Sequence, residues 1–117
     1  MEELLIKLLK NGNDIEGALK RFSQDSDLYI SLLPYAIEEK IYKNLDQSLS
    51  EGNIKDAYEN AHSLKGMLGN MGLTKMYNSD CLIVEALKKG IIDDGVKKNY
   101  QLLMAEREII KEIISEK

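Results

Sequence analysis

Apolar residues recur every three or four positions along most of this chain, the period of an amphipathic helix rather than the alternation of a strand. The segment 2–10 is short and apolar, and it stops at Gly12 and Asn13; Asn13 or Asp14 can cap the next helix. Ile15, Ala18, Leu19 and Phe22 keep helical spacing. "SQDSD" (23–27) is a polar break whose Asp25 or Ser26 can start another helix. From there Leu28, Leu32, Leu33, Ile37, Ile41, Leu45 and Leu49 sustain one stripe. Pro34 falls inside it, where a proline either kinks a long helix or sits in the first turn of a later one; because the stripe continues across it, the pattern favours a single long helix over about 26–50, kinked there.

"SEGN" (50–53) is a turn with Asn53 as the cap of the succeeding helix. That helix, 54–71, carries Ile54, Ala57, Ala61, Leu64, Leu68 and Met71 on one side. Another, 74–89, has Met76, Ile83 and Leu87 apolar and closes on Lys88-Lys89-Gly90, basic residues before a glycine stop. The last, about 93–115, turns Val96, Tyr100, Leu103, Ile110 and Ile113 inward, with alternating charges outside. Short connections make neighbouring helices antiparallel. The expected fold is all-α: an up-down antiparallel four-helix bundle, with one or two short N-terminal helices (2–22) in front, in a single domain over 1–117.

Composition narrows the function. With 117 residues, 44% hydrophobic and 31% charged, the chain can hold a real core and is not a disordered polymer. A net charge of −4 argues against nucleic acid as the main partner, since phosphate backbones call for a basic face. The lone Cys81 cannot form an internal disulfide, and no zinc-ligand spacing is present; Cys81 is expected to pack as a small apolar residue. The opening "MEELLIKLLK" is too short and too acidic at its start to be expected as a signal peptide, and no apolar run approaches the ~20 residues of a membrane span. A cytoplasmic monomer without membrane insertion, cofactor or metal of its own is the expectation.

The single histidine, His62, stands in "AHSLKGMLGNMGL" (61–73) beside Gly66, Gly69 and Gly72. At 100° per residue it points to the solvent half, roughly 130° from the centre of the apolar stripe. Its surface neighbours are Tyr58 and Glu59 on one side and Lys65 and Gly66 on the other, then Gly69. Each glycine inside a helix forfeits about 1 kcal/mol relative to alanine, and two explanations could offset that loss at Gly66 and Gly69. Either another helix packs closely there, or a partner needs access to the imidazole. Gly72 can simply end the helix. Lys65, three residues on, can swing its ammonium over the ring and stabilise an anion attached to it. An exposed imidazole with a neighbouring cation suggests a nucleophile for phosphoryl groups, because neutral imidazole is nucleophilic near pH 7; a partner would supply Mg²⁺ and the remaining charge stabilisation.

The same stretch resembles the signature of histidine-containing phosphotransfer (HPt) domains: His62, Leu64, Lys65, Gly66, Gly69, Asn70 and Gly72 fall on that pattern. "IEGALKRFSQDSDLYISLL" (15–33) is similar to the entry of such domains, and "SLSEGNIKDAYENAH" (48–62) to the turn before their phosphorylated helix. Leu68 stands where the family usually has Ala or Ser, and Pro34 is not usual in its long helix. The resemblance implies that His62 accepts the phosphoryl group and Lys65 helps hold it, with Gly66 leaving room beside the ring. It implies a relay carrier of two-component signalling, not an enzyme. The phosphate would come from a receiver aspartate or a histidine kinase and pass to a receiver domain, with Mg²⁺ in the partner receiver. Docking is expected over Tyr58, Glu59, Ser63, Gly66, Gly69 and Asn70. The absence of a G-x-x-x-x-G-K-[ST] loop agrees with a carrier that does not bind nucleotide.

Other readings are weaker. One histidine and one cysteine far apart, without acidic residues at ligand spacing, make a poor metal site. "NSDCLIV" around Cys81 has no feature that would activate a thiol. In the dimerisation helices of histidine kinases the histidine is normally followed by an acidic residue, with a proline nearby; here serine comes next and no proline comes after it. A non-phosphorylated helical-bundle interaction module is the alternative function.

Overall fold

The computed structural model describes residues 2–116, and within them every regular element is a helix. In chain order these are α1 (Glu3–Lys10), α2 (Ile15–Arg21), α3 (Ser26–Ala36), α4 (Glu39–Ser50), α5 (Ile54–Asn70), α6 (Thr74–Lys88) and α7 (Asp94–Ser115). Asp14, Asp25 and Asn53, all candidate caps from sequence, and Asp93 each accept a hydrogen bond from a backbone N–H of the first turn. They satisfy donors that a helix leaves without partners.

All seven helices contribute to one apolar core. α5 is its spine, packing along α4 on one side and α6 on the other, while α6 packs along α7. The inward residues match the sequence stripes: Ala57, Ala61, Leu64 and Leu68 of α5 are fully buried, as are Met76 and Ile83 of α6 and Leu103 and Ile110 of α7. The Tyr100 hydroxyl donates to the Tyr42 carbonyl at 3.2 Å and ties α7 to α4. No helix of the described residues is long and apolar enough to cross a membrane.

The long helix expected over 26–50 is two helices. α3 ends at Ala36 and α4 begins at Glu39, so α3 stands ahead of α4 as a third helix, after the two that lie within 2–22 as expected. Pro34 lies in the last turn of α3 and cannot donate to the carbonyl one turn back. The N–H groups of Ile37 and Glu38 reach only loose partners three residues back, at 3.4 and 3.5 Å. The carbonyls freed at the break find other donors: the Tyr42 hydroxyl donates to Ala36, and Arg107 Nε of α7 donates to Ile37 at 2.9 Å. The Arg107 guanidinium also lies over the Tyr42 ring, 5.1 Å from its centroid. With the stripe divided, α3 takes its own phase. Tyr29, Leu33 and Ala36 face the core, and Leu28, expected inside, is 45% exposed.

The N-terminal helices clasp the far end of α5. Asp14 N–H donates to the Gly72 carbonyl at 2.8 Å, and buried Asn13 donates to the Leu8 carbonyl and accepts from Thr74 N–H. The Tyr29 hydroxyl, buried, donates to the Met71 carbonyl at 2.6 Å. Burial drives the phenols of Tyr29 and Tyr42 well above their ordinary pKa, and that of Tyr100 up to about 12.

Candidate functional site

α5 presents the histidine. Its buried face fixes the rotation of the helix, so His62 and Ser63 point to solvent and Lys65 is half-buried between the exposed face and the core. One turn before His62, the ring of Tyr58 stacks on the imidazole, with centroids 5.7 Å apart and planes 29° apart. This contact covers one face of the ring, while the residue as a whole is exposed.

The C-terminal end of α5 is closed from two directions. Leu73 N–H donates to the Leu68 carbonyl and Gly72 N–H to that of Gly69, the two bonds of a Schellman motif. Gly72 takes φ +67°, and a Cβ there would run into the Asp14 carbonyl, so this glycine both ends the helix and admits the N-terminal clasp. Arg21 of α2 completes the end: its Nη2 donates to the Gly69 carbonyl at 2.7 Å and its Nε to that of Asn70 at 3.0 Å. A cation on these last carbonyls also complements the helix dipole.

The two explanations for the helical glycines divide between them. A Cβ at Gly69 would lie 3.1 Å from the Tyr77 ring of α6, so Gly69 serves helix packing. A Cβ at Gly66 would meet nothing within 4 Å. No contact within the described chain requires glycine at that position, one turn beyond His62.

His62, Lys65, Gly66, Gly69, Asn70 and Tyr77 line one groove of about 310 Å³. Of the residues expected at the site from sequence, this brings together His62, Lys65, Gly66, Gly69 and Asn70, with Tyr58 against the histidine. Ser63 is exposed but outside the groove. Glu59 turns the other way, towards a polar depression it shares with Asn44, Gln47 and Ser48 of α4. Cys81, half-buried on α6, does not line the groove. Among the described residues no group of three His, Cys, Asp or Glu side chains gathers that could hold a metal ion.

Sequence reasoning missed two residues here. Tyr77 forms the α6 wall of the groove. Asp80, one turn further along α6, is fully buried, and neither carboxylate oxygen has a hydrogen-bond partner. Desolvation pushes its carboxyl up to about 7, opposed by the Lys65 ammonium. A signal for Asp80 was present: Met76, Asp80, Ile83 and Leu87 step by four, three and four, so the aspartate occupies a core position of the stripe.

An exposed imidazole, fixed by an aromatic ring and flanked by a cation and an empty approach, can act as a nucleophile towards a group delivered from outside. No family model matches the chain, nor does any curated protein or solved structure.

Proposed function

We propose that this chain is a phosphorelay carrier of the histidine-containing phosphotransfer kind, with α4–α7 as an up-down antiparallel four-helix bundle and His62 as the phosphoryl acceptor. The observation that carries the reading is the open space at Gly66. A helix interior glycine sacrifices about 1 kcal/mol, and with no neighbour inside the described chain to justify it, the benefit lies in a surface that approaches from outside. The resemblance of "HSLKG" (62–66) to the phosphotransfer signature supplies the kind of partner, a receiver domain docked over the groove.

In this reading the outer ring nitrogen of His62 attacks the phosphorus of a receiver's aspartyl phosphate. The N–P bond forms as the P–O bond to the aspartyl carboxylate breaks, and that carboxylate leaves with the electron pair. The proton on the other ring nitrogen stays. Lys65, one turn along the same face, neutralises charge on the transferred group. Reversal onto a second receiver, or loading by a histidine kinase, uses the same atoms. The chain's part is positioning and charge; catalytic Mg²⁺ belongs to the partner receiver.

The test compares transfer from a phosphorylated receiver to the native chain and to two variants. His62→Gln, at an exposed position, should abolish labelling with the helical fold intact. Lys65→Ala should slow transfer or shorten the lifetime of the bound phosphoryl group. Labelling that survives in His62→Gln would overturn the assignment, and no labelling from several receivers would favour an interaction module instead.

A further inference from the structure

Asp80 is the one buried carboxylate whose two oxygens both lack a partner among the described residues. A buried charge in that condition is expensive and is ordinarily matched or neutralised. Its surroundings contain few candidates. α5 and α6 run side by side across a three-residue connection, and Tyr77 of α6 packs on Gly69 of α5. One turn further along α6, and correspondingly one turn back along α5, Asp80 comes level with Lys65 and Gly66. Lys65 is half-buried and is the charged group whose field reaches Asp80. From α4 the Tyr42 hydroxyl also lies within electrostatic reach, but it is committed to the Ala36 carbonyl. The buried charges of α7 are engaged elsewhere: Glu106 accepts from Asn11, and Arg107 donates to Ile37 and Glu108. No ion pair joins Lys65 to any carboxylate in the described residues.

We infer that Asp80 is a positioning residue for Lys65: its buried carboxylate is the resting counter-charge that draws the lysine stem inward, and an anion placed on His62 competes for the same ammonium. Lys65 lines the groove together with His62, three residues before it on α5, and Asp80 follows Tyr77, the groove's α6 wall, by one turn. When the ammonium turns outward, Asp80 loses the one compensating charge that reaches it among the described residues and takes up a proton. The site thereby couples the state of His62 to the protonation of a carboxyl in the core. Since that carboxyl titrates close to neutral pH, acid frees the lysine and alkali retains it. The pairing of Lys65 with Asp80 is independent of the phosphotransfer reading; its competition with an anion on His62 rests on that reading.

The experiment is an NMR titration of the Asp80 carboxyl carbon in the full chain, for the native protein, Lys65→Met and Lys65→Arg. Removing the opposite charge should raise the Asp80 midpoint by about one pH unit, and Lys65→Arg should restore it. A merely structural Lys65 would leave the midpoint unmoved. An unchanged midpoint in Lys65→Met overturns the pairing. In a second arm the native chain is treated with phosphoramidate, whose P–N bond breaks to release ammonia as the N–P bond to His62 forms. Loading should raise the Asp80 midpoint in the native chain and not in Lys65→Met. Loading without that rise overturns the competition. If His62 does not load, the phosphotransfer reading fails with the competition, while the comparison of Lys65 variants decides the pairing by itself.

Discussion

Replacing Asp80 with asparagine removes one charge from the interior and keeps the shape of the side chain. An aspartate in the unfolded chain titrates near 3.8, whereas the folded one is pushed up to about 7. The folded pKa is therefore raised, so the neutral carboxyl's contribution is fully present below about pH 4 and is lost as pH rises through 7. About three pH units at about 1.36 kcal/mol each make the ionised carboxyl about 4 kcal/mol more costly in the folded state. That is a large fraction of the roughly 5–15 kcal/mol by which such domains are ordinarily stable. An asparagine carries no such penalty, and its unpartnered amide resembles the unpartnered neutral carboxyl. Asp80→Asn and the native chain should then be nearly equally stable at pH 4. By pH 8 the variant should be about 2–4 kcal/mol more stable, allowing for relaxation around the carboxylate. Urea unfolding at each pH reads this directly: with a slope of about 1.5–2 kcal/mol per molar, the midpoints should separate by about 1–3 M. The other carboxylates titrate alike in both proteins and cancel in the difference. Stability profiles that stay parallel from pH 4 to 8 would refute the buried, partnerless aspartate.

Three further substitutions separate packing from function. Gly66→Ala should stabilise the fold by about 1 kcal/mol, since α5 gains a better helix former and nothing stands in the way of its Cβ; transfer from a receiver should nevertheless slow, and a variant both more stable and equally fast would show that access at Gly66 does not matter. Gly72→Ala should destabilise by more than about 1 kcal/mol, because alanine strains at positive φ and its Cβ strikes the Asp14 carbonyl; thermal unfolding checks it. Tyr29→Phe should lose about 1–3 kcal/mol by orphaning the buried Met71 carbonyl, while an unchanged denaturation midpoint would show that this hydroxyl is not part of the clasp.

Much of the molecule could be read from the chain, and the exceptions have physical causes. α5 was legible because its stripe, its Asn53 cap and its glycine stop agree with one another. The solvent-facing direction of His62 came from that phase alone. The break between α3 and α4 was not legible: the apolar spacing runs on through Ile37, and the groups that satisfy the interrupted backbone come from Tyr42 and from Arg107, 70 residues away from Ile37. Gly66 and Gly69 look alike in sequence, and the Tyr77 ring of another helix tells them apart. Asp80 sat in plain view on a core stripe, but its lack of partners depends on its surroundings in three dimensions.

The most direct test of His62 as acceptor is the chemistry of the label after a phosphorylated receiver domain has been mixed with this chain. A phosphoryl group on the nitrogen of His62 should be lost in acid, survive alkali and never form in His62→Gln. Label that resists acid, or that appears unchanged in the variant, would contradict the assignment.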